Sequence, residues 1–427
     1  MEIVKYPSRA EWPALAKRPA LDVTTLFDTV RTVLERVRQE GDAAVKAYEK
    51  QFDKVVLTDL RVSAEEVEEA DQAVSEELKR AIQCAKANIE RFHAAQRFQG
   101  VEVETTPGVR CWQKAMPIEK VGLYIPGGTA PLFSTVLMLA VPARIAGCRE
   151  IVLCTPPDKT TGKVHPAVLY AAKVAGVNKI FKAGGIQAIA AMAYGTESVP
   201  KVYKIFGPGN QYVTAAKQWV SLKEVAIDMP AGPSEVEVVA DQTANPDFIA
   251  ADFLSQAEHG VDSQAMLVTT AEALIEPVKE AIERQLARLP RREITEKALA
   301  HSRIVLLRDQ QEVVDFTNLY APEHLILQTA DYAAIAQQVE NAGSVFMGPY
   351  TPESAGDYAS GTNHTLPTNG YAKAYSGVNL DSFIKKITFQ EITSEGIRSL
   401  GETIRTMAEG EQLEAHRNAV TVRLNAL

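Results

Sequence analysis

The chain has 427 residues, 46% of them hydrophobic, and a net charge of −9 at pH 7. This composition can fill about two or three hydrophobic cores, and without a lysine- or arginine-rich block it argues against nucleic acid and anionic membranes as partners. The chain has only four cysteines, without metal-type spacing, which indicates a reducing compartment. It also has no signal-peptide core and no uninterrupted apolar span, so we expect a cytoplasmic protein.

Residues 22–98 carry the apolar periodicity of helices. Within them, Ser63 and Glu66 have the spacing of a capping box, which predicts the start of one long amphipathic helix. The segments Val101–Glu104 and Val109–Gln113 flank a Thr-Pro-Gly turn and predict a β-hairpin.

A unit of strand, glycine turn and helix recurs in residues 119–233 and predicts a parallel sheet of Rossmann type. The turns are Pro126–Gly128, Gly184–Gly185 and Gly207–Asn210. Glycine lets backbone N–H groups approach a phosphate, and such sheets bind ligands at the carboxyl ends of their strands. No G-x-G-x-x-G fingerprint follows these strands, so a dinucleotide site and turns needed only for packing both stay open.

Residues 234–380 continue the α/β pattern with the strand Val236–Val239, and Asn245 with Pro246 predicts the start of a helix. The stretch from 349 to 377 is rich in Gly, Pro, Ser, Thr and Asn, and a loop of this length in a compact domain is usually functional. From Asp381 to the C-terminus we expect mostly helix. The whole pattern predicts an α/β fold with two Rossmann-like parallel-sheet domains and small helical N- and C-terminal parts.

The tetrapeptide Ala321–His324 places a carboxylate and an imidazole side by side before the apolar run Leu325–Leu327. Pro322 stiffens the turn that presents them, because its ring fixes its own backbone and restricts the preceding residue. Two groups able to move protons near neutral pH therefore lie at the start of a predicted buried strand. The alternative is an ordinary junction of loop and strand with both side chains in water.

Four further polar residues have the chemistry of a divalent metal site. Gln256 and His259 are three residues apart and would share one face of a helix, while Asp357 lies in the long loop. His416 falls on a stripe between Leu413 and Val420, so we expect it to face apolar groups. Together the four side chains suit zinc or a similar ion. Hydrogen-bonded core positions for Gln256, His259 and His416, and a capping role for Asp357, are the alternatives.

Six segments in the same order resemble those of the histidinol dehydrogenase family. They are Gly122–Thr135, Phe206–Tyr212, Ile227–Glu235, Gln256–His259, Ala321–His324 and Ser354–His364. The resemblance runs from residue 122 to His416, and the first hundred residues match only as a helical pattern.

This resemblance implies zinc- and NAD-dependent, four-electron oxidation of L-histidinol to L-histidine through L-histidinal, the last step of histidine biosynthesis. It also implies incomplete Rossmann-like domains of the aldehyde dehydrogenase type and a homodimer with a shared active site. The implied parts are an N-terminal segment 1–21, a first domain of 22–118 with 234–380, an NAD-binding domain 119–233 and a C-terminal helical dimerisation part 381–427.

Residue roles follow from the same resemblance. The zinc ligands, one ion per subunit, would be Gln256, His259, Asp357 and His416. The other substrate contacts would be Ser234, Glu323, His324, His364 and Glu411, with the four zinc ligands counted among the substrate-binding residues. The NAD contacts would be Tyr124, Gln187 and Asn210. Glu411 and His416 would come from the partner chain.

The chemistry of the reaction divides the work of Glu323 and His324. Hydride transfer from an alcohol needs a base for the hydroxyl proton, and an imidazole has a suitable pKa. The resulting aldehyde must be hydrated before a second hydride leaves, and Glu323 is placed to activate that water. Zinc would orient and polarise the substrate, and the nicotinamide would carry the hydride.

Three other functions remain open from the residues alone. A cysteine-type aldehyde dehydrogenase would use Cys148 or Cys154 as nucleophile. A metal-dependent hydrolase would use Glu323 as base and need no nicotinamide. A non-catalytic, zinc-dependent binder of imidazole compounds would bind histidinol and produce no NADH.

Overall fold

A computed structural model of the protein describes residues 1–19, 23–127, 130–230 and 232–427. Asp22, where the helical region was predicted to begin, and Gly128 of the first glycine turn lie outside the described residues. The α-helices are α1 (Trp12–Leu15), α2 (Phe27–Glu40), α3 (Asp42–Tyr48), α4 (Ala64–Ala73), α5 (Glu76–Ala94), α6 (Phe133–Ala146), α7 (Pro166–Ala175), α8 (Gly185–Tyr194), α9 (Gln211–Ser221), α10 (Pro246–Ala257), α11 (Ile275–Leu286), α12 (Arg292–Leu299), α13 (Gln310–Tyr320), α14 (Tyr332–Ala336), α15 (Glu353–Tyr358), α16 (Ser394–Gly410) and α17 (Glu414–Asn425). The strands are β1 (Glu2–Lys5), β2 (Val101–Thr106), β3 (Val109–Pro117), β4 (Lys120–Tyr124), β5 (Glu150–Thr155), β6 (Lys179–Lys182), β7 (Lys204–Phe206), β8 (Ala226–Ile227), β9 (Glu235–Ala240), β10 (Gln264–Thr269), β11 (Arg303–Leu306), β12 (His324–Gln328), β13 (Ser344–Met347) and β14 (Ile384–Ile392).

Two sheets in the described residues are wholly parallel. One has the strand order β1-β11-β10-β9-β12-β13, and the other has the order β6-β5-β4-β7-β8. Every residue of β9, β10 and β12 is buried, as expected for parallel strands covered on both faces. The predicted α/β fold with two parallel-sheet domains is confirmed.

The N-terminal helices pack on the five-stranded sheet. The apolar face of α2 contacts α8 and α9, and α4 and α5 contact α7 and α6. This packing differs from the predicted grouping of residues 22–118 with 234–380, because the apolar stripes of these helices are covered by the helices of residues 119–233. The N-terminal segment also joins a sheet, since β1 pairs in parallel with β11.

The predicted capping box is present, but the predicted long helix is not continuous. Ser63 accepts from the backbone N–H of Glu66, and the Glu66 carboxylate accepts from the N–H of Ser63. Val74 then adopts an extended conformation, and the Ser75 side chain caps α5 by accepting from the N–H of Leu78. A second serine cap thus divides the helix into α4 and α5.

The C-terminal part is mostly helical, as predicted, but it begins with a strand that belongs to an antiparallel sheet of order β14-β3-β2. The hairpin of β2 and β3 was predicted, but residues 384–392 form a strand where helix was expected. Ile384, Ile387, Phe389 and Ile392 favour a strand because β-branched and aromatic side chains suit a pleated surface. All nine residues of β14 pair with β3, which overrides the helical expectation.

The C-terminal helices α16 and α17 contact each other extensively. Their described side chains leave Met407, Leu413 and Val422 exposed, and the antiparallel sheet exposes Val101 and Phe389. Apolar surface collected in one region of a chain is typical of an interaction surface. In the described residues, no helix combines the length and the apolarity needed to cross a membrane.

Candidate active site

A cavity of about 650 Å³ is lined by residues from both parallel-sheet regions. The predicted site residues among its walls are Ser234, Gln256, His259, Glu323, His324, Asp357, His364 and Asn210. Glu235 and His324 are the first residues of β9 and β12, so the six-stranded sheet contributes its amino-terminal edge. The five-stranded sheet contributes the turn that follows the carboxyl end of β7.

The turn that carries Glu323 and His324 begins where α13 ends. Ala321 caps this helix in the left-handed conformation, with φ 54° and ψ 66°. This conformation costs a non-glycine residue about 1–2 kcal/mol, while the following Pro322 disfavours the right-handed helical alternative. The predicted stiff turn is therefore present, and it delivers two buried side chains rather than two solvated ones.

The carboxylate of Glu323 is held by backbone and side-chain donors. Its Oε2 accepts from the N–H of Glu235 at 2.9 Å and lies 3.4 Å from Nε2 of Gln256. Burial raises the pKa of Glu323 to about 8. A pKa of about 8 leaves only a minor ionised fraction of this carboxyl group near neutral pH, and that ionised form is the one that can accept a proton from water and return it.

The imidazole of His324 is oriented by the same strand. Its Nδ1 lies 3.2 Å from the carbonyl oxygen of Glu235 and also 3.2 Å from Nε2 of Gln256. Its Nε2 lies 3.8 Å from Oδ1 of Asp357. Burial opposes protonation of His324, but the carboxylates of Glu353, Glu323 and Asp357 outweigh it and hold the pKa well above its ordinary value.

Three side chains, two of them in the cavity wall, have the geometry of a cation site. One ligand atom from each of His259, Glu353 and Asp357 lies within 4.8 Å of the others. The buried Oε1 of Gln256 has no hydrogen-bond partner among the described residues. Imidazole, carboxylate and amide oxygen donors, one of them unpaired, fit a divalent ion such as zinc. The prediction that Gln256 and His259 share a helix face is only half right, because α10 ends at Ala257.

Glu353 was missed by the sequence analysis. It is buried on α15, and burial raises its pKa above the ordinary value for a carboxyl group. Its Oε2 has no hydrogen-bond partner among the described residues. The available signal was its spacing of four residues from Asp357, which places both carboxylates on one side of a helix.

His364 and Ser234 complete the side of the cavity nearest the long loop. Nδ1 of His364 lies 3.0 Å from the carbonyl oxygen of Asp357, and Nε2 lies 3.1 Å from the hydroxyl oxygen of Thr135. The carbonyl fixes Nδ1 as the donor, so Nε2 accepts from Thr135. Ser234 immediately precedes β9 and lines the cavity.

The three predicted NAD contacts are not all found in the cavity wall. Asn210 lines the cavity, and its side chain caps α9 by accepting from the N–H groups of Tyr212 and Val213. Tyr124 and Gln187 are buried beneath the turn that opens α8. The Tyr124 hydroxyl accepts from the N–H of Gly185, and Nε2 of Gln187 donates to the carboxylate of Glu49.

Glu411 and His416 lie outside the set of residues that lines the cavity. Both are exposed at the junction of α16 and α17, so the expectation that His416 faces apolar groups is wrong for the single chain. Of the predicted apolar neighbours on its stripe, Val420 is buried while Leu413 is exposed.

The geometry does not favour a cysteine nucleophile. Cys148 and Cys154 are buried, and neither belongs to the described cavity wall. Burial raises the pKa of Cys148 to about 12 and that of Cys154 further still. Since the thiolate is the nucleophile, both groups are inert near neutral pH.

The fold and cavity define an α/β protein with two parallel-sheet domains, a buried acid–imidazole pair and donors suited to a divalent ion. The histidinol dehydrogenase family model matches residues 16–424. Histidinol dehydrogenase of Bacteroides thetaiotaomicron is 69% identical over 427 residues, with 100% of both chains covered. That of Escherichia coli K12 is 54% identical over 416 residues, covering 97% of this chain and 95% of the relative.

A solved structure gives the same result. The crystal structure of histidinol dehydrogenase from Elizabethkingia anophelis matches with a TM-score of 0.98 and 56% identity, covering 100% of this chain and 98% of that one. The chain therefore belongs to the histidinol dehydrogenase family and is an oxidoreductase.

Proposed function

We propose that this protein is a cytoplasmic, zinc- and NAD-dependent enzyme that oxidises L-histidinol to L-histidine through L-histidinal, the last step of histidine biosynthesis. The observation that carries this proposal is the buried pair Glu323 and His324, which lies beside Gln256, His259 and Asp357 in one cavity. Membership of the family, with relatives covered over their full length, supports the same activity.

His324 acts in both oxidations. Nε2 accepts the hydroxyl proton of the alcohol. The carbon–hydrogen bond breaks, its electron pair leaves with the hydrogen as hydride, and the carbon–oxygen double bond of the aldehyde forms. A divalent cation bound beside these carboxylates would weaken their attraction for the proton of His324, which would leave Nε2 able to accept. NAD, when bound, receives the hydride at each of the two steps.

Glu323 serves the step between the oxidations. Its carboxylate accepts a proton from water as the water oxygen bonds to the aldehyde carbon. His324 returns the proton it took in the first oxidation to the former carbonyl oxygen, so a gem-diol results and the imidazole is neutral again. His324 then accepts a proton from the diol as the second hydride leaves, which gives the carboxylic acid. The hydrogen bond from the N–H of Glu235 keeps Oε2 in place during this exchange.

Gln256, His259 and Asp357 would hold the zinc ion of each subunit, together with His416 of a second copy. Zinc, when bound, supplies a positive charge that orients the substrate and polarises its reacting oxygen. Ser234, His364 and Glu411 would contact the substrate. Tyr124, Gln187 and Asn210 would bind NAD, with Tyr124 and Gln187 shaping the turn before α8.

The deciding experiment mixes the purified protein with zinc, L-histidinol and NAD and follows NADH by its absorbance. We expect two NADH per histidinol, loss of activity with a chelator and recovery on adding zinc. One NADH per histidinol would mean that histidinal escapes before the second oxidation. Tight histidinol binding without NADH would indicate a binding protein and disprove the proposal.

A further inference from the structure

Arg18, which the sequence analysis did not single out, forms a buried cluster behind the active site. Its side chain is 9% exposed. Its guanidinium group donates two hydrogen bonds to the carboxylate of Glu235, from Nε to Oε2 at 2.6 Å and from Nη2 to Oε1 at 2.9 Å. The group also lies over the ring of Tyr320, with Cζ 3.7 Å from the ring centroid. Nη2 further donates to the carbonyl oxygen of Ala321 at 3.2 Å.

Both groups held by Arg18 adjoin the pair that carries the chemistry. Ala321 is the left-handed residue from which the Glu323–His324 turn starts, and its conformation needs support from outside the turn. Glu235 offers its N–H to the Glu323 carboxylate and its carbonyl oxygen to the His324 ring. Movement of Glu235 would therefore shift both side chains together.

A role limited to stability does not account for this arrangement. Burying an arginine and a carboxylate is expensive, and apolar residues of similar volume often replace such a pair without loss of stability. A guanidinium group is planar and has several donors in fixed positions. It can therefore donate two hydrogen bonds to the two oxygens of one carboxylate, which fixes the orientation of that carboxylate.

We infer that Arg18 is a positioning residue, which aligns the Glu323 carboxylate and the His324 imidazole by fixing Glu235 and the carbonyl of Ala321. This role rests on the proposed function. It predicts that loss of the guanidinium misplaces the reacting groups while leaving NAD binding intact.

The test compares Arg18→Ala with wild type in the NADH assay. We expect kcat to fall about 10²-fold, because a displacement of about 1 Å is enough for that effect, with the KM for NAD nearly unchanged. Added methylguanidinium should restore part of the lost kcat by occupying the vacated space. A purely structural role would predict neither the separation of kcat from KM nor the rescue.

Arg9→Ala is the matched control. Arg9 also pairs with a carboxylate, Asp315 at 2.6 Å, and lies over an aromatic ring, Trp12 at 4.8 Å, but its side chain is 60% exposed. We expect this variant to keep the wild-type kcat, and we expect added methylguanidinium to leave that kcat unchanged.

The outcomes separate the inference from the proposed function. If wild type produces no NADH, the proposed function falls and the role of Arg18 falls with it. If wild type is active and folded Arg18→Ala keeps its kcat, only the inference is overturned. If Arg18→Ala fails to fold, Arg18→Lys is tested instead, because an ammonium group cannot donate in parallel to both carboxylate oxygens of Glu235 as the guanidinium does. A reduced kcat in Arg18→Lys supports the inference, and a wild-type kcat overturns it.

Discussion

Glu323 and His324 are neighbours in the sequence, but their side chains have different partners and different chemistry. Glu323 is fixed through one carboxylate oxygen by the N–H of Glu235, whereas His324 uses Nδ1 on the carbonyl of the same residue. A single residue of β9 thus orients both groups. The proposed division of labour between water activation and proton transfer uses these two contacts to hold each group in its own place.

The division predicts that Glu323→Gln harms one half of the reaction more than the other. The amide keeps the size of the side chain but cannot accept a proton from water, so histidinal oxidation should slow by about 10²-fold or more. Oxidation of histidinol to histidinal should suffer less, whereas His324→Asn should slow both. Single-turnover NADH formation from histidinol and from histidinal measures the two steps separately.

His301→Asn is the control for that comparison, because His301 is exposed and absent from the cavity wall. It should behave as wild type. Equal slowing of both steps by Glu323→Gln would remove Glu323 from the role of water-activating group.

At the scale of single residues, the sequence identified Glu323, His324, Gln256, His259 and Asp357 as candidates through their chemical types and their motifs. Glu353 and Arg18 were missed because their importance comes from burial and partners. The cation geometry of Glu353 depends on α15, and the grip of Arg18 on Glu235 joins residues far apart in the chain. Neither relation leaves a local pattern except the spacing from Glu353 to Asp357.

At the scale of elements, β9 shows how a buried strand can carry charge. Glu235 is paired with Arg18, whereas Glu237 has the Thr317 hydroxyl as donor to Oε1 at 2.6 Å. Burial raises the pKa of Glu237 from 4.5 to about 8, so this carboxyl group is protonated in the folded protein at neutral pH.

This strand therefore makes stability depend on pH. The folded protein keeps a proton on Glu237 that the unfolded chain has lost above about pH 4.5, so this contribution is complete below that pH and is lost as the pH rises toward 8. Between about pH 5 and pH 8 the free energy of unfolding should decrease in both wild type and Glu237→Gln. The decrease in Glu237→Gln should be smaller than that in wild type by about 1–3 kcal/mol.

Urea unfolding at a series of pH values measures this difference. Glu293→Gln is the control because Glu293 is exposed, and it should follow the wild-type curve. A Glu237→Gln curve parallel to that of wild type would contradict the assignment of a protonated, buried carboxyl group.

At the scale of the whole molecule, the cavity lies between the amino-terminal edge of one parallel sheet and a carboxyl-terminal turn of the other. The single chain leaves His416 and Glu411 exposed, together with apolar residues of the C-terminal helices and the antiparallel sheet. A second copy that covers this surface would agree with the proposed shared site.

A shared site predicts complementation between two inactive variants. His324→Asn and His416→Asn should each be inactive alone, but refolding them together in equal amounts should restore about a quarter of wild-type activity. Random pairing makes about half of the dimers mixed, and each mixed dimer has one intact site. NADH formation from histidinol measures the recovery.

The control refolds each variant with itself, which should restore nothing. If both histidines of a site come from one chain, every site in a mixed dimer carries one substitution, and the mixture should stay inactive. That result would rule out the shared site while leaving the rest of the proposed function in place.

The sequence by itself determined the α/β class, the parallel strands with their glycine turns and the chemical types at the site, because hydrophobic periodicity and turn residues act locally. It did not predict the strand β14 within the mostly helical C-terminal part, and it did not predict that the N-terminal helices pack on the five-stranded sheet, since partners distant in the chain decide those matters. Only the tertiary structure brought Arg18, Glu235 and Glu353 to the Glu323–His324 pair. A buried charge without a partner is unfavourable, so these side chains are held in positions where they contact one another.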